Sequence, residues 1–360
     1  MRLSVVTRAL LVLAGGLLLG TAAFVASDGL APSEAAALST STTEAPTTST
    51  TTASTTTTTT TLPTTTTTTL PPKGALVIHA TGDVNTDTSY IPALVENGHA
   101  HAWSGLDGLF QEDDLTVINL ECTPSDLGTP LPKEFVFRCD VDSLPVMQEA
   151  GIDVANLANN HSADYGKEAL VDGRAQLESA LIAPVGAGAD RDEAYTPAVF
   201  EIDGWTVAVL GFGGVVPTSD WLATDDSPGM ADGDSAESMA AAVRAADEMA
   251  DLVIVTVHWG FELETEPDEG DRARAEAMIE AGADMIFGHH PHRLQPLEVV
   301  DGVPVAWSLG NFVWPNFSVP GSTTAVARVV VAPDGSMESC LIPAFITSPG
   351  RPELTGDPGC

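Results

Sequence analysis

The chain has 360 residues, 44% of them hydrophobic, and carries a formal net charge of −36 from 50 acidic and 14 basic side chains. This charge repels nucleic acid and anionic lipid, so it argues against both as partners, while an anionic substrate remains possible if a metal ion or arginines reverse the field locally. The region after residue 73 is long enough for one large domain or two small ones.

Residues 1–30 are predicted to be a targeting segment. Arg2 and Arg8 precede the apolar run ALLVLAGGLLLGTAAFVAS. A basic start followed by an apolar run and small residues is typical of a secretory signal peptide, and this run is also long enough for a membrane anchor. Both alternatives predict an extracytoplasmic protein, either secreted or held by a membrane-embedded N-terminus.

Residues 31–73 are predicted to be a disordered linker. Threonine repeats with scattered proline fill residues 39–73. Such a composition buries too little apolar surface to offset the entropy of ordering the chain. O-glycosylated and unmodified forms of the linker both fit this composition.

Residues 74–360 are predicted to fold as an α/β domain. Short apolar runs indicate strands at 75–84, 115–122, 152–161, 205–213, 251–260, 283–292, 303–312 and 325–335. Helical spacing of apolar residues occurs at 165–182, 235–250 and 268–283. Strands that alternate with helices indicate a largely parallel sheet, and the turn sequence APDGS makes the last strands antiparallel.

The four cysteines indicate two disulfides in an exported chain. Three pairings are possible, and we predict the two local ones, Cys122–Cys139 and Cys340–Cys360. A thiolate zinc site is disfavoured because no C-x-x-C motif occurs.

Polar residues fall where the predicted strands end, and the carboxyl ends of strands are where α/β sheets bind ligands. Taken singly, each of these polar residues also fits a structural role, as a helix cap, a turn residue or a buried core histidine. Their shared position favours a metal site, and carboxylate, amide and imidazole ligands suit Mn, Zn or Fe. The candidate ligands number enough for two divalent ions that share one carboxylate: Asp83, Glu121, Asn160, His258, His290 and His292.

The motifs TGDVN, NLEC, NLANNHSADYG, VTVHWGFELETEP, GHHPH and SLGNF closely resemble, in order, those of the CapA family. This family comprises poly-γ-glutamate capsule biosynthesis proteins of the calcineurin-like metallophosphatase superfamily. The resemblance covers about residues 75–315. It implies a calcineurin-like metallophosphatase sandwich of two mixed β-sheets flanked by helices.

The resemblance also implies roles for individual residues. It makes Glu121 the bridging ligand and His161 a proton donor to the leaving group, oriented by Asp164 or Asp83. His289 is an alternative to His290, because the histidine tract aligns in two ways. The candidates for substrate contact are Asn159, Lys133, Arg138, Arg293 and Asn311.

Three positions depart from the superfamily pattern. Asn85 stands where the first motif usually has histidine, Glu121 where the bridging residue is usually aspartate, and Ser162 where an acidic residue often follows the Asn-His pair. A lost histidine and a longer carboxylate weaken one of the two metal positions.

Two classes of function follow from these features. The first is an exported dinuclear metal-dependent hydrolase, acting on a phosphoester or on an amide of a glutamate polymer. The second is a non-catalytic protein that binds an anionic polymer or the membrane synthase that makes it. A stand-alone phosphatase or nucleotidase is a further alternative to the capsule role.

Overall fold

The computed structural model of the protein describes residues 72–360. The predicted targeting segment at 1–30 and all but the last two residues of the predicted linker at 31–73 lie outside the described residues. Among the helices between residues 72 and 360, none has the length and apolar character needed to cross a membrane.

The described residues form sixteen strands, numbered here in chain order. They are β1 Leu76–Val84, β2 Leu115–Leu120, β3 Val154–Asn156, β4 Ala183–Val185, β5 Ala187–Gly188, β6 Ala198–Ile202, β7 Trp205–Gly213, β8 Gly229–Met230, β9 Leu252–His258, β10 Met285–His289, β11 Leu297–Val300, β12 Val303–Ala306, β13 Asn311–Val313, β14 Thr323–Val331, β15 Met337–Ser348 and β16 Arg351–Leu354.

Seven α-helices and three short 3₁₀ helices connect these strands within the described part of the chain. The α-helices are α1 Ala93–Asn97, α2 Ser143–Glu149, α3 Lys167–Ser179, α4 Arg191–Ala194, α5 Ala236–Asp247, α6 Glu269–Glu280 and α7 Val319–Ser322. The 3₁₀ helices are His99–Trp103, Leu109–Gln111 and Ser219–Trp221.

The strands form two large mixed sheets. The eight-stranded sheet has the order β16-β15-β14-β1-β2-β3-β4, with β13 also paired to β1. The six-stranded sheet has the order β11-β12-β10-β9-β7-β6, and β5 and β8 form a small separate pair. Periodicity indicated a largely parallel sheet; the parallel strands instead divide between two sheets, both of which also contain antiparallel pairs.

The two sheets pack face to face over a shared core. On β9, Leu252 and Ile254 belong to the cluster between the sheets, while Val253 and Val255 face the helices. Residues two apart share a face of a strand, so a continuous apolar run produces two buried faces. Helices α2 and α3 cover the eight-stranded sheet, and α5 and α6 cover the six-stranded one. This architecture confirms the predicted two-sheet α/β sandwich.

Local signals set the ends of several elements. Helix α6 begins with a capping box in which the Asp268 side chain accepts from the Asp271 backbone, and Ser235 caps α5 in a similar way. The APDGS turn joins β14 to β15 as an antiparallel pair, as predicted. The predicted strand at 152–161 is shorter, because only Val154–Asn156 pairs before the chain turns.

Both predicted disulfides are present. Cys122 pairs with Cys139, and Cys340 pairs with Cys360. The first encloses the loop 123–138, and the second joins β15 to the C-terminal residue.

Candidate metal centre

The predicted ligands meet between the two sheets, at the carboxyl ends of parallel strands. Two groups of side chains have ligand atoms within 4.8 Å of one another. One group is Glu121, His258 and His290, and the other is Asp83, Glu121 and His292. Glu121 belongs to both groups, so its carboxylate is placed to bridge two cations. The metal-binding role of these residues remains a prediction.

The sheet register explains how residues so distant in sequence converge. In the eight-stranded sheet β1 and β2 are parallel, so Asp83 at the end of β1 lies beside Asn119, two residues before Glu121. In the six-stranded sheet β9 and β10 are parallel, with His258 paired to His289. Each sheet therefore contributes one end of its parallel strands to the centre.

Asp83 is fully buried and surrounded by donors. Its Oδ1 accepts a 2.9 Å hydrogen bond from Asn119 Nδ2, and its Oδ2 lies 3.2 Å from His292 Nδ1. Burial opposes ionisation, yet the hydrogen bonds from His289 and His292 outweigh it and hold the pKa of Asp83 well below its usual value. Asp83 is therefore an ionised carboxylate at neutral pH.

Asn160 lies close to the first of the two groups. Its Oδ1 is 2.8 Å from His258 Nε2, and that nitrogen is 3.7 Å from Glu121 Oε1. The amide oxygen is thus near enough to contact the same cation as His258, as the sequence predicts. A position near Asn160 therefore has four candidate donors: Glu121, His258, His290 and the Asn160 amide.

The histidine tract adopts a backbone that periodicity does not reveal. His290 and His292 have φ of 96° and 51°, a conformation that ordinary residues rarely adopt and that recurs at functional sites. These angles separate the three rings. His290 faces His258 with 4.8 Å between ring centroids, and His292 contacts Asp83.

His289 has a different environment from its two neighbours. It lies outside both groups of candidate ligands, 3.5 Å from Asp83 Oδ1 through its Nδ1, and its Nε2 is 3.1 Å from Thr256 Oγ1. His289 is therefore a neighbour of the Asp83 carboxylate that lies outside the candidate ligand groups. Of the two alignments of the tract, the geometry favours His290 and His292 as ligands.

The electrostatics of the centre indicate a missing positive charge. Burial, and then repulsion from Asp83, raise the pKa of Glu121 well above its usual value. Burial, and then the neighbouring His292, lower the pKa of His290 to about 4. Burial, and then the neighbouring His290, hold the pKa of His258 well below its usual value. His258 and His290 are thus neutral and do not balance the charge of Asp83.

The unbonded atoms of the centre fit divalent cations. Both oxygens of Glu121 and Nδ1 of His290 are buried without a hydrogen-bond partner. Buried polar groups of this kind are costly unless a ligand completes them. Because these atoms carry lone pairs, cations would satisfy them, and the mixed oxygen and nitrogen set suits Mn, Zn or Fe.

His161 and Asp164 form a pair beside the ligands. His161 Nδ1 lies 2.7 Å from Asp164 Oδ2, so Asp164 orients this ring as one of the two predicted alternatives. Asp164 is fully buried, and its other oxygen accepts from Lys133 Nζ. Lys133 also donates to the backbone oxygen of Asn160, so its charge is engaged within the centre.

The other predicted substrate contacts have mostly structural bonds. Arg138 donates to Leu127 O at 2.7 Å and stacks on Tyr165, and Arg293 donates to the His292 backbone oxygen. Asn159 is fully buried and donates to Leu120 O on β2. Asn311 Oδ1 lies 2.8 Å from His292 Nδ1, which fixes this ring and leaves its Nε2 for a cation. Their contact with substrate remains a prediction.

The sequence interpretation missed several residues that shape the centre. Asn119 bonds Asp83 and lies 3.2 Å from His258 Nδ1, and its position two residues before Glu121 on a strand was the available signal. The rings of Phe137 and Trp314 lie against His161 and His292, with centroid distances of 4.3 Å and 4.8 Å. Nothing in their local sequence distinguishes these two rings from ordinary core residues.

The family model described as bacterial capsule synthesis protein PGA_cap matches residues 77–316. The chain is 36% identical over 183 residues to the PGA biosynthesis protein CapA of Bacillus subtilis, covering 51% of this chain and 48% of that protein. It is 35% identical over 211 residues to a probable polyglutamine synthesis accessory protein of Mycobacterium tuberculosis, covering 56% and 55% of the two chains.

Among solved structures, the 5'-nucleotidase from Candida albicans is similar with a TM-score of 0.38 and 12% identity, covering 76% of this chain and 54% of that one. The chain spans about half the length of the curated relatives it matches. Since the family model covers more than half of the chain, including every candidate metal ligand, the chain belongs to the bacterial capsule synthesis protein (PGA_cap, CapA) family.

Proposed function

We propose that this chain is an exported, metal-dependent hydrolase of the CapA type, acting in the synthesis of a poly-γ-glutamate capsule or a related envelope polymer. The observation that carries the proposal is the Glu121 carboxylate, which two groups of candidate ligands share. A shared carboxylate between two divalent ions is the arrangement used for hydrolysis of phosphoesters and related bonds.

The side chains would divide the chemistry among them. Two divalent ions, when bound, would polarise the scissile group and activate water for attack. Asp83, Glu121, Asn160, His258, His290 and His292 would hold the ions. His161 has its Nδ1 bonded to Asp164, which leaves Nε2 to exchange a proton with the leaving group. Burial of Glu121 and Asp83 limits the access of bulk water.

The cellular setting is part of the proposal. The basic and apolar start of the chain supports export or membrane anchoring, and the two disulfides suit an oxidising compartment. Relatives named for PGA and capsule biosynthesis support an anionic polymer as substrate and a membrane synthase as partner. The acidic chain makes nucleic acid an unsuitable partner.

The test combines metal analysis with a panel of substrates. The purified full-length chain should bind close to two equivalents of Mn²⁺ or Zn²⁺ and hydrolyse an aryl phosphate, a nucleoside monophosphate or a γ-glutamyl oligomer. His258→Ala should lose metal and activity together, because its imidazole belongs to one group of ligands. His101→Ala is the matched control, since His101 lies on a 3₁₀ helix outside both groups and should keep both properties.

A second function has support from the sequence. The threonine-rich linker and the apolar N-terminal segment suit a domain tethered near a membrane synthase. A metal-loaded chain that is inactive on the whole panel but retains a γ-glutamyl polymer on a column would contradict hydrolysis. That result would favour the non-catalytic, polymer-binding alternative.

A further inference from the structure

Buried polar atoms without partners gather at the metal centre, and one of them differs in chemistry from the others. The oxygens of Glu121 and Nδ1 of His290 are able to accept, so cations would satisfy them. Nδ2 of Asn85 is also buried without a partner, but an amide nitrogen is only a donor. A cation cannot satisfy this atom.

The strand geometry places Asn85 on the side of the centre. Val84, the last residue of β1, packs in the core that faces helices α2 and α3. Backbone pairing with β13 continues one residue past Val84, so Asn85 extends the strand and lies on the same face as Asp83, which contacts His292. Asn85 is fully buried there, and its backbone N–H donates to Val313 O on β13.

The orientation of the Asn85 amide is fixed by its other atom. Oδ1 accepts a 2.8 Å hydrogen bond from the Asp87 backbone N–H. Reversing the amide would place its NH₂ group against that N–H, two donors in contact, so the reversed form is disfavoured.

We propose that Asn85 belongs to an oxyanion-binding site, in which Nδ2 donates a hydrogen bond to an oxygen of the ligand that reaches the metals. The inference rests on the proposed function, because it requires that the centre hold metal. The group of Asp83, Glu121 and His292 supplies only three donors among the described histidine and acidic residues, which leaves positions on its cation for ligand oxygen. The ligand class is a phosphoryl or carboxylate group.

The experiment measures anion binding rather than turnover. Inorganic phosphate and, separately, γ-glutamylglutamate are titrated by calorimetry into the Mn²⁺-loaded full-length chain. Asn85→Ala should weaken the binding of one or both anions about tenfold or more, with Mn²⁺ content unchanged, because a donor to a charged oxygen is lost. Asn85→Asp keeps an acceptor for the Asp87 N–H but replaces the donor by a charged oxygen, so it should abolish this binding.

The control and the contrary outcomes are distinct. Asn97→Ala removes an exposed amide on α1 and should bind both anions like the unchanged chain. The inference is wrong if both Asn85 variants bind the anions normally, if Asn85→Ala loses Mn²⁺, or if the metal-loaded chain binds neither anion. If Asn85→Ala fails to fold, Asn85→Asp decides. A chain that binds no metal overturns the proposed function and this inference together. If Asn85→Ala binds only one of the two anions more weakly, that anion shows whether the site recognises a phosphoryl or a carboxylate group.

Discussion

Asp83 and Glu121 are both fully buried carboxylates, yet their surroundings differ. Asp83 accepts hydrogen bonds from its neighbours, whereas neither oxygen of Glu121 has a hydrogen-bond partner. A raised carboxyl pKa in the folded chain means that ionised Glu121 opposes folding at neutral pH, and that the penalty disappears in acid below the unfolded pKa. The buried Glu121 carboxylate is therefore maintained at a cost in stability.

Glu121→Gln should separate stability from function. The metal-free variant should melt a few degrees above the metal-free parent. The reason is that a neutral amide of similar size replaces a buried carboxylate that has no hydrogen-bond partner. Added Mn²⁺ should raise the melting temperature of the parent but not of the variant, because both groups of ligands need this carboxylate. Differential scanning calorimetry with and without metal measures both effects. Equal metal stabilisation in the two chains would contradict a bridging role.

Asp164→Asn tests the orientation of His161. The change keeps the size of the side chain but weakens the hydrogen bond to His161 Nδ1, so kcat on the best substrate should fall by about 100-fold. Metal content should remain that of the parent, because Asp164 lies in neither group of ligands. Asp226→Asn, at an exposed position, is the control. A loss of metal from Asp164→Asn instead of kcat would show that the role is structural.

The loop 123–138 brings several functional contacts to the centre. Its ends are joined by the Cys122–Cys139 disulfide, and it carries Lys133 and Phe137 to Asp164. Cys122 directly follows Glu121 in the chain, so the covalent bond also fixes the backbone next to the Glu121 carboxylate. At the level of elements, the conformation of this loop and the geometry of the centre are coupled.

Removing each disulfide should show this coupling. Cys122→Ala/Cys139→Ala should cost about 3 kcal/mol of unfolding free energy and also reduce metal affinity. Cys340→Ala/Cys360→Ala removes a disulfide that encloses a loop of similar length, with a sequence separation of 20 against 17, and that joins β15 to the C-terminal residue. It should lower stability by a similar amount and leave metal affinity unchanged. Denaturant unfolding and metal titration give the comparison, and equal metal affinities in the two variants would contradict it.

The net charge of −36 opposes the approach of a polyanion to any part of the surface. The affinity for a γ-glutamyl oligomer should therefore rise as NaCl is increased from about 10 mM to about 150 mM, because screening shortens the range of the repulsion. This salt dependence is opposite in sign to that of a basic protein with a polyanion. Fluorescence anisotropy of a labelled oligomer on the Mn²⁺-loaded chain measures it, and affinity that falls with salt would refute the argument.

The resemblance to the CapA family implied the sandwich, whereas short-range signals in the sequence predicted many of the individual strands and the local disulfides. Apolar runs such as β7 and β9 have nearly the predicted bounds, since burial on both faces requires continuous apolar residues. The edge strands β6 and β11 were not predicted, because their partly buried residues give no such run.

The details of the centre were less accessible from sequence. The positive φ of His290 and His292 comes from the turn around Pro291, and no hydrophobic period encodes it. The engagement of Lys133 with Asp164 and the direction of Arg138 towards Leu127 depend on how a long loop folds back. Such contacts join positions far apart in sequence, so they follow only from the tertiary structure.

The centre lies between two sheets, and this has a mechanical consequence. Asp83 and Glu121 come from the eight-stranded sheet, and His258, His290 and His292 come from the six-stranded one. Ions bound there would link the two layers. Chelation should therefore accelerate amide hydrogen exchange at the carboxyl ends of β1, β2, β9 and β10, while their amino ends stay protected by the apolar core. Without the ions, the two sheets would separate first at the edge that holds the centre.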